Sequence, residues 1–152
     1  MAVRNPSDLP ALLTPGQCLL GVDYGQKRIG LAISDPGRIL STPLGMMERG
    51  KLMDTLPALE ELIKERNIGA LVLGLPLDLN GKDTPMSQSV RTFAKNIEPL
   101  GLPVVFWDER FSTAAVEREM IALDTTRAKR EQKIDSEAAA YMLQGVLDFM
   151  RK

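Results

Sequence analysis

The sequence predicts an α/β fold: a five-stranded mixed sheet, three antiparallel strands then two parallel ones, with helices on both faces. Three observations predict it. Residues 18–45 hold three apolar or alternating runs separated only by short turns, the pattern of an antiparallel meander. From about residue 56 the apolar spacing becomes that of helices. Two further short apolar runs, 70–75 and 103–107, alternate with those helices, and strands joined through helices run parallel.

Residues 1–15 carry Pro6, Pro10 and Pro15 with little periodicity, and are expected to form a flexible arm ahead of a single domain over 16–152. CLLGVDY (18–24) is densely apolar and reads as a buried strand, followed by a turn at Gly25-Gln26-Lys27. RIGLAIS (28–34) puts Ile29, Leu31 and Ile33 on one face and Gly30, Ala32 and Ser34 on the other. Asp35-Pro36-Gly37 makes a second turn. RILSTPLG (38–45) is a third strand, placed at an edge because Pro43 has no N–H to donate. Leu56, Leu59, Leu62 and Ile63 have helical spacing, with Pro57 expected near the helix start. ALVLGL (70–75) is an interior strand. After a turn at Asn80-Gly81, Thr84 caps a helix that opens on Pro85 and carries Met86, Val90, Phe93 and Ile97 inward. PVVFW (103–107) is the last strand. Ser112 or Thr113 caps a helix to about Leu123, and a polar stretch over 124–133 follows. The final helix is expected from Ile134 to Met150, with Ile134, Ala138, Met142, Gly145 or Val146, and Phe149 facing in.

Composition narrows the chemistry. Hydrophobic residues are 44% and charged residues 26%, ordinary for a soluble domain. No apolar run approaches the roughly 20 residues of a membrane helix, and no secretory signal is evident, so a cytoplasmic protein without membrane association is expected. Cys18 stands alone in an apolar stretch and reads as an inert buried thiol. The chain has no histidine, which removes Ser-His and Cys-His catalysis and histidine general bases. Catalysis must run on carboxylates, lysine, hydroxyls or metal ions. The net charge of −1 lacks the basic excess of a dedicated nucleic-acid binder. Locally the balance differs: Arg127, Lys129, Arg130 and Lys133 face only Asp124 and Glu131 within 124–133.

Three acids stand out. Asp23 lies in an otherwise apolar strand, where a buried carboxylate is costly unless paired or bound to a metal. Asp108 and Glu109 follow a strand's C-terminal end, where ligands gather in α/β sheets. Asp135 opens the expected last helix beside the small Ala138 and Ala139. Mg²⁺ takes oxygen ligands, and a pair of such ions can hydrolyse a phosphodiester without histidine. Plainer readings stand beside this one: Asp23 in a turn, Asp135 as a helix cap, Glu109 paired with Arg110. Lys27 and Arg28 suit phosphate contact or a solvated hairpin tip. Arg110 can orient a phosphate or neutralise carboxylates. The stretch 124–133 suits a polyanion or plain solvent. Tyr24 and Trp107 can stack bases, with core packing the better reading for Trp107.

Four motifs, GVDYGQKRIGLAISD, LVLGLPLDLNGKDTP, FWDERFST and KIDSEAAA, occur in that order between residues 18 and 150. Together they resemble the YqgF/RuvX family of RNase H-like proteins, described as Holliday-junction resolvase-like and as nucleases that mature pre-16S ribosomal RNA. The resemblance implies an RNase H-like fold and a divalent-metal-dependent nuclease. It implies that Asp23, Glu109 and Asp135 are the catalytic residues and hold two Mg²⁺ or Mn²⁺ ions, Asp23 touching both. Glu109 is taken over Asp108 by analogy with the family, because neighbours on a strand face opposite ways. Lys27, Arg28, Arg110, Arg127, Lys129 and Arg130 would contact the substrate. Related junction resolvases carry a further acid one helical turn after the last aspartate, where this chain has Ala138. The implied substrate is precursor ribosomal RNA, with branched DNA as the alternative and ribosomal particles as further partners. A monomer and a homodimer both remain open. Two rival functions are actin-like ATP phosphoryl transfer, suggested by DYGQKRIG but without a Walker A loop or a second domain, and non-catalytic nucleic-acid binding.

Overall fold

The computed structural model describes residues 3–108 and 127–151, with backbone alone at Val3 and at 127–135. The strands are β1 (Val3–Arg4), β2 (Cys18–Tyr24), β3 (Arg28–Ser34), β4 (Ser41–Glu48), β5 (Ile68–Leu75) and β6 (Val104–Asp108). They form one sheet in the order β1-β6-β5-β2-β3-β4. β2–β3 and β3–β4 are antiparallel, whereas β2–β5, β5–β6 and β1–β6 are parallel. The five expected strands are all present, and the short β1 adds a sixth at one edge.

The helices are α1 (Leu9–Leu12), α2 (Leu52–Arg66), α3 (Pro85–Asn96) and α4 (Arg127–Met150). Both sheet faces are covered. On one, α2 and α3 set Leu59, Val90, Phe93 and Ile97 against Leu20, Val22, Ile29, Leu71 and Leu73. On the other, α1 and α4 set Leu9, Ala139, Leu143 and Leu147 against Leu19, Ala32, Ala70, Val72 and Val105. No helix among the described residues is long and apolar enough to cross a membrane.

Four expectations need correction. Residues 3–15 are not a loose arm: β1 pairs with β6, and Leu9 is 0% exposed. Pro6 and Pro10 occupy first-turn positions of short helical turns, where a missing N–H costs nothing. Arg38 closes the segment down, donating to the carbonyls of Thr14 at 3.2 Å and Gln17 at 2.7 Å. Leu9→Ala should therefore cost about 2–5 kcal/mol in urea unfolding; a change below about 0.5 kcal/mol would restore the arm.

β4 starts at Ser41 rather than Arg38. The Asp35 carboxylate accepts the N–H groups of Ile39 (2.7 Å) and Leu40 (3.0 Å), holding 35–40 as a turn with Arg38 at φ +55°. Those bonds, Leu40 first, hold the Asp35 carboxyl below its ordinary range. β4 is an edge strand, as Pro43 requires. α2 begins at Leu52, so Pro57 lies inside it and leaves it one hydrogen bond short.

The largest correction concerns α4. It begins at Arg127, not Ile134, so much of the expected basic loop is helical and Asp135 lies two turns inside instead of opening the helix. RAKREQK (127–133) is composed of strong helix formers without a breaker, which the reading by charge overlooked. Ala138, Met142 and Val146 are buried as expected, joined by Ala139, Leu143 and Leu147, while Phe149 is 42% exposed. The helix expected over 112–123 lies outside the described residues.

Candidate active site

Side-chain alternation along β2 places Asp23. Leu20 and Val22 join the core under α2 and α3, whereas Leu19 joins the core under α4. Gly21 also faces α4, since a Cβ there would lie 3.0 Å from the Leu143 Cβ. Asp23 continues the Leu19–Gly21 set and belongs to the α4 face. Its partner on β3 is Gly30. On the other side, Val22 pairs with Leu73, which brings Asp23 level with Gly74, and Gly74 pairs with Trp107. The row across this face reads Gly30, Asp23, Gly74, Trp107. Glycine stands level with the half-buried carboxylate on both adjacent strands. The result is a trough about 10 Å wide, two strand spacings, with Asp23 on its floor.

That trough suits a hard, partly hydrated cation. The Asp23 oxygens are hard donors of the kind such an ion takes. Among the described residues, no three Asp, Glu or Cys side chains gather into a cation site.

The remaining candidates fall as follows. Asp108 ends β6 on the face of Val104 and Phe106, opposite Asp23, and is exposed. Glu109 and Arg110 lie outside the described residues. Asp135 is described by its backbone, and its neighbour Ser136 fixes where that backbone lies. The Ser136 hydroxyl accepts from the Gly45 N–H at 3.2 Å and lies 3.5 Å from the Leu31 carbonyl. The α4 segment bearing Asp135 therefore crosses β3 and β4 one residue from Gly30, the neighbour of Asp23. Arg127, Lys129 and Arg130 occupy the first turns of α4, their side chains outside the described residues.

Lys27 is exposed and Arg28 half-buried at the β2–β3 hairpin. Gly25 is required there because a Cβ would meet the Arg28 carbonyl at 2.8 Å. Arg49 braces the hairpin from beneath: its Nη1 donates to the carbonyls of Gly25 (3.2 Å) and Gln26 (3.4 Å). Its guanidinium also lies 4.4 Å above the Tyr24 ring. Tyr24 stacks on Phe93 at 4.3 Å, so its ring is built into the fold on the face opposite Asp23. Trp107 packs beside Gly145 and edge-on to Phe149 at 5.6 Å, a core role.

Two acids at the same sheet end serve the β5–α3 loop. The Asp78 carboxylate accepts from the N–H groups of Asn80 and Lys82, both at 2.8 Å. Asp83 accepts from Arg91 Nε at 3.0 Å and the Ser87 hydroxyl at 2.9 Å, and these two, Arg91 first, hold its carboxyl below the usual range. Thr84 caps α3 as expected, accepting the Ser87 N–H at 3.1 Å.

Reading the sequence alone missed Gly30, Gly74 and Arg49 as parts of the site. Gly74→Val would raise a branched side chain beside Asp23. It should lower the turnover of the folded protein by roughly 10- to 100-fold, as small misplacements of reacting groups do. Full activity in that variant would place the chemistry elsewhere.

Residues 17–149 match the family model described as "RuvX: Holliday junction resolvase". The chain belongs to the RuvX family. A Sphingopyxis alaskensis member named "Putative pre-16S rRNA nuclease" is 49% identical over 152 residues, all of both chains. A Bartonella henselae member of the same name is 44% identical, covering 97% of this chain and 94% of its own. Among solved structures, Thermus thermophilus RuvC in complex with a Holliday junction substrate aligns with a TM-score of 0.53 at 13% identity, over 88% of this chain and 96% of that one. The fowlpox virus resolvase bound to Holliday junction DNA aligns at 0.55 and 10% identity, over 90% and 100%. The RuvX chain thus has the RNase H-like fold of these resolvases.

Proposed function

We propose that this RuvX protein hydrolyses phosphodiester bonds in structured nucleic acid, with precursor 16S ribosomal RNA as its substrate, in the cytoplasm and in contact with ribosomal particles. The observation that carries the reading is Asp23 on the floor of a glycine-walled trough at the C-terminal end of three parallel strands. In the proposal, Asp23, Glu109 and Asp135 hold Mg²⁺ or Mn²⁺. Alternation along β6 turns Asp108 away, and the resemblance to the family assigns the role to Glu109. Two divalent cations bound there supply an activated water and stabilise the leaving oxygen. The chain's own cations, Lys27, Arg28, Arg110, Arg127, Lys129 and Arg130, take the flanking phosphates. No histidine is present to act as a base, so these carboxylates set the chemistry.

The names of full-length relatives at 44–49% identity support the RNA substrate. The family description favours a second reading, branched DNA. A panel of precursor RNA ends, single-stranded RNA and four-way DNA junctions, each with Mg²⁺, Mn²⁺ or a chelator, tests both. Cation-dependent cleavage of the RNA precursor is expected. Cleavage of junctions alone would move the substrate to DNA. ATP hydrolysis without cleavage of any nucleic acid would overturn the reading.

A further inference from the structure

We propose that a cleft between the start of α2 and the outer face of α3 binds one unpaired nucleotide of the substrate strand, an inference that rests on the nuclease reading above. The cleft has two adjoining parts, about 130 and 330 Å³, which share Tyr24, Arg49, Phe93 and Asn96. Gln88, Ser89 and Thr92 line the larger part. Among the residues lining either part, Arg49 carries the one charge.

The chemistry of this lining selects its ligand. Arg49 is held in place before binding by two hairpin carbonyls and the Tyr24 ring. A guanidinium offers five N–H donors in a rigid fork, which leaves directions free for a phosphate. Among the described residues, no carboxylate lines the cleft to repel one. The hydroxyls of Ser89 and Thr92 donate to the carbonyls of Pro85 and Gln88, so they present lone pairs outward as acceptors. The amides of Gln88 and Asn96 offer paired donors and acceptors, the groups that read the edge of an unpaired base. One cation with neutral amides and hydroxyls fits a nucleotide better than a peptide or a lipid headgroup.

Position gives the cleft its role. Tyr24 and Asp23 are neighbours on β2 and point to opposite faces. The cleft and the trough therefore share one sheet end, with the Gly25–Lys27 hairpin as the edge between them. A strand whose reacting phosphate lies at Asp23 passes over this edge, beside Lys27 and Arg28, and leaves a flanking nucleotide in the cleft.

Fluorescence anisotropy with a labelled single-stranded RNA of about 12 nucleotides tests this, using the full chain carrying Asp23→Asn to prevent cleavage. Arg49→Gln keeps a donor for the hairpin carbonyls but removes the charge. It should reduce the slope of log affinity against log salt by about 0.7, one phosphate contact on a single strand. Thr92→Glu touches no hairpin group and should weaken binding roughly tenfold, about 1.4 kcal/mol, at unchanged melting temperature. Parental affinity and salt slope in both variants would overturn the cleft and leave the nuclease reading standing. Failure of the parent to bind any nucleic acid would overturn both. Competition by free AMP at the oligomer's own affinity would overturn a strand as the occupant.

Discussion

Asp23→Asn is expected to lower cation-dependent cleavage by about 10³-fold while leaving the melting temperature of the protein unchanged. The two halves of this result have separate causes. The amide keeps the carboxylate's shape, so packing is retained. Asp23 lies outside both apolar core clusters, is half-buried, and has glycines on both neighbouring strands. Catalysis leans on its charge: charge stabilisation by bound cations amounts to several kcal/mol, and about 4 kcal/mol corresponds to 10³ in rate. Asp78→Asn is the matched control, an acid at the same sheet end whose oxygen is already taken by the N–H groups of Asn80 and Lys82. It should perturb the loop and leave turnover within a few-fold. Steady-state cleavage in Mn²⁺, read with thermal melts, checks both. If Asp23→Asn retained parental turnover, the trough would not be the reaction site.

How much of this was legible beforehand follows from which signals are local. The strands were visible because β2, β5 and the alternating β3 bury their apolar residues in runs a few residues long, within any short window. Alternation, a property of one strand, likewise said that Asp108 and its neighbour face opposite ways, whereas the choice between them came from the family resemblance. The start of α4 was also written locally, in the helix formers of 127–133, but clustered charge suggested a loop. Pro6 and Pro10 misled in a similar way, because proline begins a helical turn as readily as it breaks one. The trough is different in kind. Gly30 and Gly74 are unremarkable in their own segments. They flank Asp23 only because β2 is paired by β3 on one side and β5 on the other, and 44 residues separate those glycines. Arg49 likewise matters only once the end of β4 is folded back against the β2–β3 hairpin. Pairings between distant segments leave no mark in either segment alone.

Close packing between sheet and helix yields the second large effect: Gly21→Val should destabilise the protein by about 3 kcal/mol. The α4 face of the sheet is built from small residues, Gly21, Ala32 and Ala70, and α4 settles directly onto them. At Gly21 no space remains. A Cβ there would stand 3.0 Å from the Leu143 Cβ and 3.3 Å from the Ala139 carbonyl oxygen. Neither contact can be relieved by rotating a side-chain end, since one atom is anchored to the helix backbone and the other is part of it. Leu143 and Ala139 are themselves 0% exposed, so the helix must shift as a body and open its other contacts. Forced overpacking of this kind costs typically 1–3 kcal/mol, and valine adds two further methyls beyond the first clash. Gly21→Ala, with the Cβ alone, should fall between parent and Gly21→Val. Gly50→Ala is the control: nothing lies within 4 Å of its added Cβ, so its effect should stay within about 0.5 kcal/mol. Urea midpoints at constant slope measure all three. The same displacement reaches the site, because α4 carries Asp135 and is pinned to β4 by Ser136 through the Gly45 N–H. Gly21→Ala should therefore need more Mn²⁺ for half-maximal cleavage than the parent while still fully folded. Parental stability in Gly21→Val would mean that α4 does not seat on β2 at this point, and the placement of Asp135 near Asp23 would lose its support.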